Sequence, residues 1–443
     1  MEIAIFTGEL SGDLIGAELA LSIHSLDSSV NLWGLGSAAM QNAGVDILAD
    51  SAQWGAISIT EALRKVPGML LNVSPKVKKA LKDRMPDLVI LIDFGAFNVR
   101  VARYSKQLGL KVCYYFPPGS WRREGVANRE LATLADLLVV PFPWSAERFQ
   151  NLGACAVNVG HPVLERVKPR YTREQFADML GLSLHQPIIG LLPGSREHEV
   201  KHLMPVMVKS AYQITRTLPD AQFVVGAAPT LSLELLRSRI SSLAAEQSIP
   251  SVLRQELKQI QKKAEQLTPK LQPVLVTEAG MKMPLNKSSK EKEKEAQKRP
   301  QFPPIAIAKD LTYDVMAHSD ALIICSGTAT LEAACFATPM VILYRGSKVM
   351  EMEYRLLRLD KKIKFIGMPN ILADRLIVPE LIQQQADPDT IAEHIITMLT
   401  NLSERDRIKQ DLQMVRESLG EPGASMRTAK LALSLVKGER LQL

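Results

Sequence analysis

Cysteine is scarce in this chain of 443 residues, and the four that occur form no C-x-x-C pair. Cys113, Cys155, Cys325 and Cys335 mostly lie in apolar surroundings and read as reduced core residues of a cytosolic protein, so no disulfide framework is expected. Long apolar runs are missing too. None reaches the roughly 20 uninterrupted residues that a spanning helix needs. The opening Met1-Glu2-Ile3-Ala4-Ile5-Phe6 lacks the basic region and cleavage site of a secretory leader, and is expected to enter a strand directly. A strong charge imbalance is also absent. Net charge is +7, but residues 281–300 carry seven Lys/Arg against three Glu, so more than half of the excess is local. That argues against a dedicated nucleic-acid surface, while leaving room for a basic face beside anionic lipid or phosphate.

What is present is ample apolar material: 46% hydrophobic residues in a length that suits two domains. Near-continuous apolar runs at 3–7, 31–34, 88–93, 111–116, 137–141 and 156–159 read as strands. Helical patterns such as 14–26, 75–85 and 98–108 lie between them. Strands of this kind predict a parallel sheet covered on both faces. The pattern restarts at 187–192, 222–227, 305–308, 321–325 and 340–344. The expected fold is therefore α/β, with two doubly wound Rossmann-like units and a ligand cleft between them. Their join is expected at Gly160-His161-Pro162. The first unit would cover 1–165 and be completed by C-terminal helices over 405–443. The second would cover 166–404, with a charged insertion near 231–304. Within the insertion, 237–266 looks helical and 278–301, rich in Lys, Glu and Ser, reads as a surface loop.

Several strand ends carry polar residues suited to chemistry. Ser326-Gly327-Thr328-Ala329-Thr330-Leu331-Glu332 follows an apolar run and opens a helix. Such a junction offers backbone N–H groups to a phosphate, Gly327 permits close approach, and the hydroxyls of Ser326, Thr328 and Thr330 add donors. Glu332, one turn in, suits ribose hydroxyls, which makes the segment a candidate nucleotide-sugar site. Small residues there also serve simply to cap a helix. In Pro193-Gly194-Ser195-Arg196, Ser195 suits a helix cap and Arg196 suits either a phosphate or a surface ion pair. Asp93 ends the apolar strand 88–92, where partial burial favours a general base, although helix capping is open to it as well. Gly8-Glu9-Leu10-Ser11-Gly12-Asp13 resembles a phosphate loop, but its two acids suit a hydroxyl-bearing acceptor better, and Ser11 or Asp13 equally suits a helix cap. His198-Glu199-Val200-Lys201-His202 matches H-E-x-x-H. No third metal ligand follows on a neighbouring helix, so no metal site is assigned.

Taken in order, these segments resemble the lipid-A-disaccharide synthase family of glycosyltransferases. The resemblance rests on Gly8–Asp13 with Gly16-Ala17, Ile92-Asp93 with Phe97-Asn98, Gly160-His161-Pro162, Leu192–Arg196 with Glu199-Val200, and Ser326–Glu332. It continues through Pro339-Met340-Val341, Tyr344-Arg345 and Pro369-Asn370-Ile371-Leu372-Ala373. It implies a GT-B fold and an inverting, metal-independent transfer of 2,3-diacylglucosamine from UDP to the 6-hydroxyl of 2,3-diacylglucosamine 1-phosphate. UDP-sugar is then a substrate, and no cofactor is required. The resemblance makes Asp93 the general base. It places Gly194, Ser195, Arg196, Ser326, Gly327, Thr328, Thr330, Glu332, Arg345 and Asn370 at the UDP portion, and Ser11, Gly12, Asp13 and Asn98 on the acceptor side. It also implies peripheral contact with the inner face of a membrane, and dimers. Residues 54–71 mix apolar and basic side chains suitably for lying on lipid, and equally for an amphipathic core helix.

Departures from the family pattern gather in the first unit. Phe94-Gly95-Ala96-Phe97-Asn98 lacks a second acid, Pro117-Pro118-Gly119-Ser120-Trp121-Arg122 is shortened, and Leu35-Gly36-Ser37-Ala38-Ala39-Met40 lacks an arginine. An altered acceptor is one consequence to expect. A non-catalytic UDP-sugar or lipid binder and a UDP-sugar 2-epimerase are the other readings.

Overall fold

The computed structural model describes residues 1–51, 54, 73–123, 128–248, 303–346 and 364–440. Two sheets organise them. The first contains β1 (Glu2–Phe6), β2 (Asn31–Gly36), β3 (Asp46–Asp50), β4 (Leu88–Ile92), β5 (Val112–Tyr115), β6 (Leu137–Val140) and β7 (Ala156–Asn158). Their order is β3-β2-β1-β4-β5-β6-β7. The second contains β8 (Ile188–Leu192), β9 (Gln222–Ala227), β10 (Ile305–Lys309), β11 (Ala321–Cys325), β12 (Met340–Tyr344) and β13 (Glu380–Ile382), ordered β10-β9-β8-β11-β12-β13. Every pairing is parallel.

Parallel strands must bury both faces, and the side-chain alternation shows it. Ile3, Ile5, Leu88, Ile90 and Ile92 enter one core, while Ala4, Phe6, Val89 and Leu91 enter another on the opposite face. A third core gathers the second sheet with its helices. All eleven expected strands appear. The edge strands β3 and β13 were not foreseen: β3 is half-buried with an acid at each end, and β13 has three residues.

Each sheet reverses its winding beside its first strand, β1 between β2 and β4, and β8 between β9 and β11. Successive crossovers there leave on opposite faces and open a crevice at the carboxyl ends of the strands. Asp93 and the loop after β1 flank one switch point. Arg196 and Ser326–Thr328 flank the other.

The C-terminal helices divide between the units, contrary to the expectation that both complete the first. Helix Leu402–Ser418 sends Ile408, Leu412 and Val415 into the core of the second unit. Only helix Ala424–Lys437 packs into the first, through Ala429, Leu431, Ala432 and Leu433. The chain thus crosses twice, at 160–162 and 419–423, and the crossings are tied together. His161 N–H donates to the Leu419 carbonyl at 2.8 Å, and Arg427 donates to the carbonyls of Val159, Glu421 and Pro422.

Of the insertion, a helix spans Leu233–Ser248, starting before the expected 237, and residues 249–302 lie outside the described set. Of 54–71, only Trp54 lies within it. Its ring packs 6.1 Å from both Phe94 and Phe97, on the protein interior.

Candidate active site

The site starts from a backbone reversal after β4. Asp93 and Phe94 both take left-handed conformations, each with φ of 47°. Non-glycine residues held there cost on the order of 1–3 kcal/mol each, so something must hold them. Asp93 N–H donates to the Tyr115 carbonyl, and the Asp93 carbonyl accepts from Tyr114 Oη at 2.8 Å and Asn98 Nδ2 at 3.0 Å. The same Asn98 amide donates to the carbonyls of Phe6 and Ile92, tying the ends of β1 and β4 together. Gly8 lies against the Phe94 ring: a Cβ there would fall 1.9 Å from Phe94 Cγ. Only glycine lets the loop after β1 pass, and that loop brings Glu9 to Asp93.

The Asp93 carboxyl is pushed up to about 6, first by burial and then by the Glu9 charge, with the Phe94 N–H opposing. Glu9 in turn faces the second unit. Its Oε2 stands 3.8 Å from the Arg196 guanidinium, and its Oε1 accepts the Ser11 hydroxyl at 2.9 Å. A carboxylate of the front half and a guanidinium of the back half therefore meet across the crevice, with Glu9 as the link.

Arg196 projects from the start of helix Glu197–Thr217 and also lies 3.5 Å from Glu199. Glu199 Oε2 accepts the N–H groups of Ser195 and Arg196 at 2.9 and 3.2 Å, closing the turn from within. Gly194 is obligatory here, with φ of 107° and no room for a Cβ, which would fall 2.2 Å from Glu199 Oε2. The Ser195 amide is thus engaged by Glu199 rather than offered to a phosphate.

On the neighbouring strand end, Gly327 and Thr328 are exposed, and a Cβ on Gly327 would meet nothing within 4 Å. Ser326 donates its hydroxyl to the Ile366 carbonyl. Glu332 lies one turn along, 14% exposed, with Oε1 accepting from Tyr313 Oη at 3.1 Å. Burial raises its carboxyl above the usual range, against the pull of the Arg166 charge. Arg345 is exposed at the end of β12, and its charge adds last, after burial, Lys201 and His198, to what holds the His202 imidazole low.

Five residues expected at the ligand are held by the fold itself. Asn98 is fully buried and holds three carbonyls, as described. Asn370 is equally buried: its amide donates to Val378 O and Glu380 Oε1 and accepts from Ile377 and Val378 N–H. Thr330 is buried, donating to Gly327 O and accepting from Met368 N–H. Asp13 belongs to helix Leu10–Leu26, which begins earlier than the expected 14, and accepts from the N–H groups of Ser37, Ala39 and Met40. Gly12 sits in the same first turn, where a Cβ would fall 3.2 Å from Thr7 Cβ. The side chains of Asn98, Asn370, Thr330 and Asp13 are thus engaged in holding the loops around the crevice. Conversely, sequence reasoning did not name Tyr114, and it noted Glu9 and Glu199 within their motifs without the roles seen here. The Gly-Ser-Arg-x-x-Glu spacing was the one available signal, since a glutamate three residues into a helix commonly reaches back to the cap.

Known proteins similar to this chain bear on the crevice. The sequence model for lipid-A-disaccharide synthetase matches residues 3–249 and 238–435. The chain belongs to that family. Lipid-A-disaccharide synthases of Syntrophus aciditrophicus and Geobacter sulfurreducens are each 32% identical over 435 residues, covering 98% of this chain and 98% and 97% of theirs. That of Myxococcus xanthus is 31% identical over 441 residues. Solved structures at 11–12% identity share the fold. They include UDP-GlcNAc 2-epimerase from Neisseria meningitidis bound to UDP-GlcNAc, with a TM-score of 0.54 over 99% of this chain, and MurG from Acinetobacter baumannii, at 0.51 over 98%. The chain is thus a glycosyltransferase-family protein of two-domain GT-B architecture, with one switch point in each sheet.

Proposed function

We propose that the chain transfers 2,3-diacylglucosamine from its UDP donor to the 6-hydroxyl of 2,3-diacylglucosamine 1-phosphate, releasing UDP. Family membership supports the reaction class, and the Asp93–Glu9–Arg196 arrangement across the crevice carries the assignment of roles. Asp93 takes the proton of the acceptor hydroxyl. The oxygen attacks C1 of the donor sugar from the face opposite UDP, the C1–phosphate oxygen bond breaks, and the configuration inverts. Arg196 meets the charge developing on the diphosphate, with Arg345, Gly327 and Thr328 as further donors, and Glu332 accepts the ribose hydroxyls. Charge neutralisation by two arginines makes a metal unnecessary in this scheme, so turnover should persist in EDTA. The UDP-GlcNAc carried by the Neisseria epimerase structure is compatible with a donor of this type. Catalysis takes place at a membrane surface by peripheral contact; among the described residues no helix is long and apolar enough to cross one.

The test is UDP release from purified protein with UDP-2,3-diacylglucosamine and acceptor. Asp93→Asn should lower kcat by about 10²–10⁴-fold, the usual contribution of a general base. Saturable UDP binding with no release from any acylated acceptor, unchanged by Asp93→Asn, would identify a binding protein instead. A second reading, a different acceptor, is favoured by one observation. The Ser37–Met40 turn has no arginine, and Asp13 engages its amides, so it offers little to an acceptor phosphate. Turnover with an acylated acceptor lacking the 1-phosphate separates the two.

A further inference from the structure

A buried ionic cluster lies where the chain crosses between the units. Arg166, in the short helix Val163–Arg166 just past the crossing, is 11% exposed. Its Nη1 stands 3.3 Å from Glu18 Oε1, on the first unit's helix Leu10–Leu26, and its Nε stands 3.9 Å from Glu332 Oε1 on the second. One guanidinium thus serves two carboxylates from opposite sides of the cleft. The cluster is also incompletely bonded: Arg166 Nε and Glu18 Oε2 are buried with no hydrogen-bond partner among the described residues. Buried polar groups left this way normally have a reason. Here a small turn of the Glu332 carboxylate would close 3.9 Å to a hydrogen bond.

We propose that Arg166, anchored by Glu18, is a positioning residue that keeps Glu332 ionised and aimed at the donor's ribose. A ribose diol presents two O–H donors and needs an acceptor-only carboxylate. Burial works against that ionisation at Glu332, and the Arg166 charge, followed by the Tyr313 hydrogen bond, opposes it. The first unit thereby sets the geometry of a donor contact in the second. This rests on the placing of Glu332 at the ribose above.

The experiment is calorimetric binding of UDP, 2′-deoxy-UDP and 3′-deoxy-UDP to the full chain. Wild type should lose about tenfold or more with at least one deoxy nucleotide, as for a hydrogen bond to a charged group. Glu332→Gln should abolish that discrimination, and Arg166→Gln should reduce it below about threefold while leaving deoxynucleotide binding in place. Arg166→Lys should restore part of it. Because Arg166→Gln leaves Glu18 unpaired in the interior, the double variant Glu18→Met/Arg166→Met serves as a second one that removes that unpaired carboxylate. Full discrimination retained in both, or equal weakening of all three nucleotides, overturns the proposal while leaving Glu332 at the ribose. A wild type that binds all three alike removes the placing of Glu332, and this role for Arg166 with it.

Discussion

Asp93 ties catalysis to stability through its charge. Its carboxyl titrates near 6 in the folded chain against 3.8 in a model peptide, because folding buries it beside Glu9. As pH rises from about 4 to 6 the unfolded chain releases this proton first, so stability falls across that window. Above it the penalty is complete, about 3 kcal/mol at most for a shift of roughly two units. Asp93→Asn should therefore raise the midpoint of urea unfolding at pH 8, have little effect at pH 3.5, and abolish most turnover. His161 has the opposite sign: burial first, then the Arg166 charge, press it down to about 3, so its contribution is lost as pH falls below 6.5. Between about pH 4 and 6 the two groups offset each other in the wild type. The Asn variant removes one of them, so its stability should decline on acidification through that range more steeply than the wild type's, as followed by urea titration at successive pH values. The pH profile of kcat/KM offers a separate check. It should fall tenfold per unit below about pH 6, and Glu9→Gln, which removes a charge that raises the Asp93 pKa, should move that limb to lower pH.

Turns, at the scale of single elements, divide what could be read in the sequence from what could not. Gly194 holds a left-handed backbone against the Glu199 carboxylate, so Gly194→Ala forces the two apart and frees the Ser195 and Arg196 amides. We expect at least about 1–3 kcal/mol of destabilisation, read by thermal unfolding, and weaker UDP binding because Arg196 loses its mooring. Asp13→Ala should cost a similar amount, since three N–H groups lose a charged acceptor in a buried setting. The strands of both sheets were legible because burial on two faces writes uninterrupted apolar runs, as in Leu88–Ile92. Asp93, Arg196 and Gly327 were legible because they stand where such runs stop. Asp13 and Asn98 misled for a common reason. Their partners lie far along the chain, 24 to 27 residues for Asp13 and 92 for the longest reach of Asn98. Local composition shows a turn-forming acid or amide and cannot show which of its polar atoms tertiary structure already engages, here both Asp13 oxygens and Asn98 Nδ2. Glu9 was read by its sign as facing a hydroxyl-bearing acceptor, and its pairing with Arg196 across the crevice shows only in tertiary structure.

At the scale of the whole molecule, the paired crossings are tied to each other where the two units join. Gly160, at φ of 76°, lets the first crossing lie against the second: a Cβ there would fall 3.1 Å from the Leu419 carbonyl and 3.2 Å from that of Glu421. Arg427 then binds Val159 O through Nε and Nη2 while also holding Glu421 and Pro422. No core side chain is lost in Arg427→Ala, so both sheets should stay folded with near-native circular dichroism. The clasp, however, loses four hydrogen bonds from a charged donor. Reacting groups displaced by about 1 Å forfeit on the order of a hundredfold in rate, whereas a nucleotide gripped by the second unit alone feels little of that shift. Arg427→Ala should accordingly lower kcat by tenfold or more, within that estimate, and change the Kd of UDP by less than about threefold. Equal losses in both would mean that Arg427 supports the second unit's fold rather than the distance between Asp93 and Arg196.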